Sequence, residues 1–252
     1  CGGSGFDGTG VCQWADGDIV ALGRESKVES YIQHLVSVFR ELRRVLRDDA
    51  TLWLVIGDTR RGPNMIGVPW RVAFALQEDG WVLRQDIIWS KGLSSVPESV
   101  QNRCTTAHEY IFLFSKTKSY YYDVAAIAEP ALSLDGEHTD RSYFTGFGLM
   151  ANTMHKPEKI YTTRNLRSVW VINSAQDRLH PAAFPYDLAL RCVLAGSRPS
   201  DYVIDPFSGS ATTGLAAIQS GRRFVGIEQS SYYNKIAQQR LATLGIEVVK
   251  QL

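Results

Sequence analysis

The sequence predicts an α/β protein with a doubly wound, mostly parallel sheet and helices on both faces. Short apolar runs, several of which end in an acidic residue, alternate with helical segments along the chain. The 252 residues are 44% hydrophobic, which is enough for the core of one α/β domain. We therefore expect residues 1–252 to form a single domain.

The first regular elements follow a glycine-rich start. Residues 26–46 carry apolar side chains at helical spacing, and Ser26 with Glu29 has the spacing of a capping box. The continuous apolar run 52–56 predicts a buried strand. We expect His34 on the solvated face of the helix. Asp58, just beyond the strand, is expected either to bind a ligand or to cap a loop.

The middle of the chain predicts one more helix and two more strands. Residues 69–77 indicate the helix, and residues 81–89 and 110–114 indicate the strands, with Trp89 in the core. The stretch 117–179 is polar and interleaves cations with aromatic residues, which suits contacts to phosphates and bases. It predicts an inserted target-recognition region. The alternative is an ordinary surface segment whose tyrosines cover the core.

The most informative motif is a strand, a turn of small residues and a helix near the C-terminus, VIDPFSGSATTG at 203–214. Gly209 and Ser210 keep bulky side chains away, so backbone amides that open the helix can face an anionic group. The next apolar strand ends at Glu228, where a carboxylate can accept hydrogen bonds from both hydroxyls of a ribose. Together the two strands predict a nucleoside-containing cofactor.

Two cofactors compete for this loop. The spacing Gly209-x-Ala211-x-x-Gly214 approaches the dinucleotide fingerprint of nicotinamide-dependent enzymes. However, Asp205 stands where a pyrophosphate would lie, and its charge repels phosphates. S-adenosylmethionine has no pyrophosphate, and its ammonium and sulfonium charges suit a nearby carboxylate. We favour S-adenosylmethionine and keep an NAD-type oxidoreductase as the alternative.

At these residues the chain resembles the DNA amino-methyltransferases, the N6-adenine and N4-cytosine enzymes of restriction-modification systems and phages. The similarity covers DPFSGSATT at 205–213, HPAAFP at 180–185, and the predicted strands around 52–58, 86–91 and 108–116. With the cofactor loop last, the order is that of the permuted class. The resemblance implies a Rossmann-like methyltransferase fold, base flipping, and direct methyl transfer to cytosine N4 or adenine N6.

The resemblance also implies which residues bind the ligands. Those expected at the cofactor are Asp205, Pro206, Phe207, Ser208, Gly209, Ser210, Thr212, Thr213, Glu228, Phe184 and Pro185. Those expected at double-stranded DNA are Lys91, Arg164 and Arg167, although a net charge of +1 by itself neither demands nor excludes nucleic acid.

Composition and the resemblance together predict the metal content, the cellular location and the oligomeric state. The four cysteines are scattered without a C-x-x-C pair, so no metal is assigned. No signal peptide or membrane span is visible in the sequence, which predicts a cytoplasmic protein, encoded by a bacterium or a phage. The resemblance adds a homodimer as the expected assembly.

One departure from the family concerns catalysis. Its tetrad, an Asp, Asn or Ser followed by Pro-Pro and an aromatic residue, accepts the two hydrogens of the target amine and stacks on the base. No Pro-Pro pair occurs in the sequence, so no catalytic residue is assigned. We expect the tetrad upstream of Cys1, and a catalytically inactive DNA-binding homologue is the alternative. Ala211 replaces the family's glycine, which requires a negative φ or a small strain.

Overall fold

The computed structural model describes residues 12–13, 19–95, 97–131, 162–174 and 185–245. Its strands are β1 (Cys12–Gln13), β2 (Ile19–Val20), β3 (Thr51–Ile56), β4 (Arg60–Arg61), β5 (Asn64–Met65), β6 (Val82–Ser90), β7 (His108–Ser115), β8 (Glu129–Pro130), β9 (Thr163–Arg164), β10 (Val169–Val171), β11 (Tyr202–Asp205) and β12 (Arg223–Gly226). Its helices are α1 (Val28–Val45), α2 (Val68–Glu78), α3 (Tyr186–Gly196), α4 (Thr212–Gln219) and α5 (Ser231–Ala242). None of the helices in these ranges is long and apolar enough to cross a membrane.

Two sheets form the centre of the molecule. The larger has the order β10-β6-β7-β3, with β10 parallel to β6 and β7 antiparallel to both of its neighbours. The smaller pairs β11 with β12 in parallel. The α/β class is confirmed, and within the described residues the larger sheet is mixed. Among the described residues that link β6 to β7 there is only one 3-10 turn, at Gly92–Ser94, and without a crossover helix the chain returns antiparallel.

The apolar stripe of α1 packs on the larger sheet, as its spacing predicts. Ile32, Leu35, Val36, Phe39 and Leu42 are buried together with α2 and with the inner residues of β3 and β7. The aromatic side chains of β7 continue this core, and Phe112 and Phe114 are fully buried. This core holds β3 in place beneath the candidate site.

Two expectations for the start of α1 are wrong. The cap residue is Lys27, which makes no side-chain capping hydrogen bond, so Ser26 and Glu29 form no capping box. His34 is 3% exposed instead of solvated, and its Nδ1 lies 2.8 Å from Oε1 of Glu25. The segment before the helix folds back over it and brings this carboxylate to the histidine, a contact that helical periodicity does not reveal.

The smaller sheet is covered by helices that approach closely because their facing residues are small. Ala189 and Val193 of α3 pack against Ala216 and Ala217 of α4. Gly214 of α4 lies against the Phe224 ring of β12, and an added Cβ there would come within 2.7 Å of two ring carbons. The glycine lets α4 lie directly on the strand.

A single arginine joins the starts of β3 and β11. Arg198 Nη1 lies 3.0 Å from Oδ2 of Asp49 and 3.8 Å from Oδ2 of Asp201, the carboxylates that precede the two strands. A hydrogen bond from Arg47, with a further one from Arg198, lowers the pKa of Asp49 to about 2. The clamp therefore stays charged at neutral pH and aligns the two strands at their amino ends.

We expect Gly214→Ala to lower the free energy of unfolding by about 1–3 kcal/mol, because the new methyl group overlaps the Phe224 ring. Urea denaturation measures the change. In a Phe224→Leu background the same substitution should cost less, since the ring edge is gone. Equal costs in the two backgrounds would show that the ring is not what requires glycine.

Candidate functional site

The loop between β11 and α4 is organised by Asp205. Its Oδ1 accepts a hydrogen bond from the Phe207 amide at 2.9 Å, and its Oδ2 accepts one from the Thr213 hydroxyl at 2.6 Å. Burial raises the pKa of Asp205, and the hydrogen bonds from Thr213 and Phe207 offset this only in part. The result is a poorly solvated carboxylate at the end of a strand, an environment that favours a cationic ligand.

Glu228 fixes the loop from the neighbouring strand. Its Oε2 accepts a hydrogen bond from the Gly209 amide at 2.9 Å, and its Oε1 accepts one from the Ser230 amide at 2.7 Å. The Ser208 amide also donates to the Ile227 carbonyl at 3.0 Å. Each carboxylate oxygen has a further lone pair, so Glu228 can hold the loop and still accept from a ligand. The predicted pairing of Asp205 and Glu228 at adjacent strand ends is thus present.

The turn itself requires two left-handed residues. Gly209 has φ +48°, which glycine adopts without cost. Ala211 has φ +61°, so of the two expectations for this residue the strained one holds. The methyl group of Ala211 is 1% exposed and packs with Ala237 and Leu241 of α5, and this burial offsets the backbone strain.

Arg240 is a structural residue of the loop that the sequence did not reveal. Its Nη1 donates to the carbonyl and to the hydroxyl of Ser210, each at 2.7 Å, and lies 3.4 Å from Oγ1 of Thr212. Ser210 and Thr212 are both buried, so their hydroxyls face α5. In sequence, an arginine in the last turn of a helix indicates only a favourable charge for the helix end, and no local pattern links it to a loop thirty residues earlier.

Apolar side chains flank the two carboxylates. Phe207 is 46% exposed and Ile227 is 54% exposed, although both are large and apolar. The Phe207 ring meets Phe39 of α1 edge to face, with the centroids 6.1 Å apart. Pro185 is buried at the start of α3, and Phe184 lies outside the described residues. The loop thus combines negative charge with apolar surface suited to a flat ring.

A groove of about 430 Å³ begins at this loop and continues between the two sheets. Residues 51–55 of β3 form one wall and residues 202–205 of β11 form the other. Phe39 and Leu42 line the groove from α1, and Leu46 lines it from just beyond the end of that helix. Consecutive residues of both strands line the groove, which means that strand edges, and not only one face, point into it. Lys91 and Glu109 line it as well, with Asp205 and Phe207 of the loop.

Among the described residues, both of these strand edges carry backbone groups that have no hydrogen-bond partner. The Lys116 amide donates to the Ala50 carbonyl, so in the antiparallel ladder the odd-numbered residues Thr51, Trp53 and Val55 direct their amides and carbonyls away from β7. In β11 the amides of Arg223 and Ile227 donate to the carbonyls of residues 201 and 205, so the odd-numbered residues bond to β12. The amides and carbonyls of Tyr202 and Ile204 therefore point away from β12. Within the described ranges no strand pairs with either edge.

The cations predicted at DNA all have carboxylate partners. Lys91 Nζ lies 2.5 Å from Oε1 of Glu109, beside Gly57 at the end of β3. Arg164 and Arg167 both bind Oε1 of Glu129, at 2.9 and 2.8 Å. The structure therefore brings the two arginines together, while Lys91 stands at the carboxyl end of β3.

Asp58 and Trp89 have structural roles. Asp58 Oδ1 accepts hydrogen bonds from the amides of Thr59 and Val68, and its Oδ2 accepts one from Gly67. Of the two expectations for Asp58, loop capping is the one observed. Trp89 is 4% exposed and donates to the Ile172 carbonyl at 2.8 Å, which confirms its place in the core.

Metal ligands and nucleophilic thiols do not stand out in the described part of the chain. No three His, Cys, Asp or Glu side chains are grouped there so as to hold a metal ion. Cys104 is exposed and Cys192 is buried, and neither forms a disulfide. Burial raises the pKa of the Cys192 thiol, so it remains protonated and unreactive at neutral pH.

Comparison with known proteins identifies relatives along most of the chain. The family described as DNA methylase matches residues 18–239. The type II methyltransferase M.SmaI of Serratia marcescens is 42% identical over 250 residues, which is 87% of this chain and 77% of the relative. The type II methyltransferase M.Cfr9I of Citrobacter freundii is 37% identical over 91% of this chain and 77% of its own length.

Solved structures show the same fold. The PvuII DNA methyltransferase, described as cytosine-N4-specific, superposes with a TM-score of 0.63 at 19% identity, over 89% of this chain and 80% of that protein. A Thermus thermophilus protein, described as a DNA modification methylase and solved with S-adenosyl-L-methionine, has a TM-score of 0.58 at 25% identity. That alignment covers 85% of this chain and 78% of the other.

We expect Arg240→Ala to lower the free energy of unfolding by about 1–3 kcal/mol, because Ser210 loses a charged hydrogen-bond donor. Urea denaturation checks this, with Lys235→Ala, an exposed cation on the same helix, as the matched control. Equal losses in the two variants would mean that the contact to the loop contributes nothing beyond general charge.

Proposed function

This chain belongs to the DNA methylase family, and from that premise we propose which of its residues carry the reaction. The protein is an S-adenosylmethionine-dependent DNA methyltransferase of the restriction-modification type, which methylates an exocyclic amine of a base. The family excludes the nicotinamide-dependent oxidoreductase that the glycine spacing had left open. The observation that carries the assignment of residues is the loop held between Asp205 and Glu228.

The residues of the loop fit the cofactor. When bound, S-adenosylmethionine supplies a methyl group activated by its sulfonium centre. The buried carboxylate of Asp205 would hold the methionine end, where its charge offsets the ammonium. The free lone pairs of Glu228 would accept from the ribose hydroxyls, and the exposed Phe207 ring would lie against the cofactor. Phe184 and Pro185 remain the candidates that close the pocket.

For the DNA substrate the candidates remain Lys91, Arg164 and Arg167. Lys91 stands at the edge of the sheet where the flipped base must arrive, and Glu109 limits its freedom. The two arginines share one carboxylate, so together they present a net charge of about +1. The recognition region at 117–179 stays a prediction, and within this range β10 belongs to the main sheet. A homodimer and a cytoplasmic setting also stay predictions.

We propose that the groove between β3 and β11 receives a β-strand that precedes α1 in the polypeptide. Adjacent strands lie about 4.8 Å apart, and a strand in this groove would pair with the free amides and carbonyls of both edges. Because α1 lines the groove and leads directly into β3, such a strand, α1 and β3 would form the right-handed crossover unit that parallel strands require.

The carboxyl end of that strand would lie beside Asp205, and this position suits the family's catalytic tetrad. Its side-chain oxygen and backbone carbonyl would accept the two amine hydrogens and turn the nitrogen lone pair out of the ring, toward the methyl group. Adenine N6 and cytosine N4 both present such an amine. The catalytically inactive homologue is the second candidate, and it would bind DNA without methyl transfer.

We expect Asp205→Asn to weaken binding of S-adenosylhomocysteine by about 1.5–3 kcal/mol, the range for a charge-assisted hydrogen bond. Calorimetry measures the affinity, with Asp187→Asn, exposed on α3, as the matched control. Because burial raises the pKa of Asp205, the unsubstituted protein should lose affinity as pH falls through that pKa, and the variant should lack this dependence. Equal or tighter binding of NAD would contradict the cofactor assignment.

We also expect the 252 residues alone to bind the cofactor product but to transfer no methyl group to DNA, because their sequence contains no Pro-Pro-aromatic tetrad to orient the target amine. A polypeptide extended at the N-terminus through a strand and a Pro-Pro-aromatic tetrad should methylate. Incorporation of tritiated methyl groups into mixed-sequence DNA measures transfer, and alanine in place of the tetrad aromatic provides the control. Robust incorporation by the unextended chain would refute this proposal.

A further inference from the structure

A short hairpin projects directly beyond the end of β3. β4 and β5 pair Arg60 with Met65 and Arg61 with Asn64, across a turn at Gly62, which has φ +61°. Residues 59–65 are all exposed, and the segment 59–66 carries two arginines and no acidic residue. We call residues 59–66 the basic hairpin.

The base of the basic hairpin is fixed. Asp58 accepts hydrogen bonds from the Thr59 amide on one side, at 2.8 Å, and from the Gly67 and Val68 amides on the other, at 3.1 and 3.0 Å. The Ile66 amide also donates to the Thr59 carbonyl at 3.0 Å. One carboxylate thus ties both ends of the hairpin to the start of α2, so the projection has a defined direction.

The basic hairpin starts at the edge where the cofactor loop and Lys91 lie. It follows Gly57, where an added Cβ would stand 3.3 Å from the side chain of Glu109, the partner of Lys91. Four extended residues lead from Asp58 to the turn, a span of at most about 13 Å. A duplex that delivers a base to this edge therefore comes within reach of the hairpin.

The charges of the basic hairpin are less neutralised than those of the other candidate cations. Lys91, Arg164 and Arg167 each lie within 3 Å of a carboxylate oxygen. Arg60 instead donates to the Pro63 carbonyl at 3.3 Å, and among the described residues no carboxylate pairs with Arg60 or Arg61. Two guanidinium groups on a fixed projection are available to bind phosphate.

We propose that the basic hairpin is a phosphate-contacting element for the DNA duplex, with Arg60 and Arg61 binding backbone phosphates beside the target base. The inference rests on the proposed function, in which duplex DNA is the substrate. The contacts position the duplex and carry no sequence information, because phosphates are the same at every base pair. Each contact releases condensed counterions, so binding should depend on salt.

The test compares Arg60→Ala/Arg61→Ala with the unsubstituted protein in binding to a labelled mixed-sequence duplex, with S-adenosylhomocysteine present. Fluorescence anisotropy between about 50 and 200 mM salt gives the affinity and its salt dependence. At about 0.1 M salt we expect affinity to fall about tenfold or more, and the slope of log affinity against log salt to become shallower by about 1.8, or about 0.9 for each phosphate.

The matched control is Arg44→Ala/Lys118→Ala, which removes the same charge from exposed residues. Arg44 comes before β3, and Lys118 comes after β7. The first residue of β3 pairs with the last residue of β7, so both control residues lie at the end of these strands that is opposite to the basic hairpin. The control should leave the salt slope unchanged. If the basic-hairpin variant matches the control while the unsubstituted protein binds the duplex, the inference is overturned and the proposed function stands.

A second variant separates charge from placement. Asp58→Ala keeps both arginines but releases the base of the hairpin, so affinity should fall while the salt slope stays close to that of the unsubstituted protein. Circular dichroism and cofactor calorimetry check that both variants remain folded with an intact cofactor loop. An unsubstituted protein that binds S-adenosylhomocysteine but no duplex would overturn the proposed substrate, and the inference with it.

Discussion

The arrangement of this molecule depends on the arginine clamp between its two sheets. Arg198 binds the carboxylates that precede β3 and β11, and these charge-assisted contacts align the first residues of the two strands. Because the strands start together and line one groove, their ends share an edge. The cofactor loop and the basic hairpin each follow one of these strands, so the clamp acts at the opposite end of the strands from these two elements.

At the edge where these strands end, charged side chains hydrogen-bond to the backbone of the loops. Asp205, Glu228 and Asp58 each accept at least two hydrogen bonds from neighbouring groups, and Arg240 supports the cofactor loop from behind. Such contacts hold the loops in one conformation before binding, which reduces the conformational entropy that a ligand must remove. The two carboxylates proposed to bind the cofactor retain lone pairs for it, whereas Asp58 accepts three backbone hydrogen bonds and acts as a cap.

The groove links the fold to the chemistry. Strand edges in an α/β sheet normally hydrogen-bond to a neighbour, and here two such edges face each other above the apolar surface of α1. A strand that fills the groove would complete the sheet and at the same time deliver groups to the end of β11. Folding and catalysis would then both depend on the same segment.

The sequence by itself determined the elements and the nature of the cofactor loop. Apolar runs located β3, β6, β7, β11 and β12 to within a few residues, and DPFSGS identified the turn, because both signals lie in a few consecutive residues. Only the tertiary structure decided the direction of β7, the burial of His34, the support of Ser210 by Arg240, and the shared use of Glu129 by two arginines. Each of these depends on which distant parts of the chain meet, and a local pattern of residue types does not contain that information.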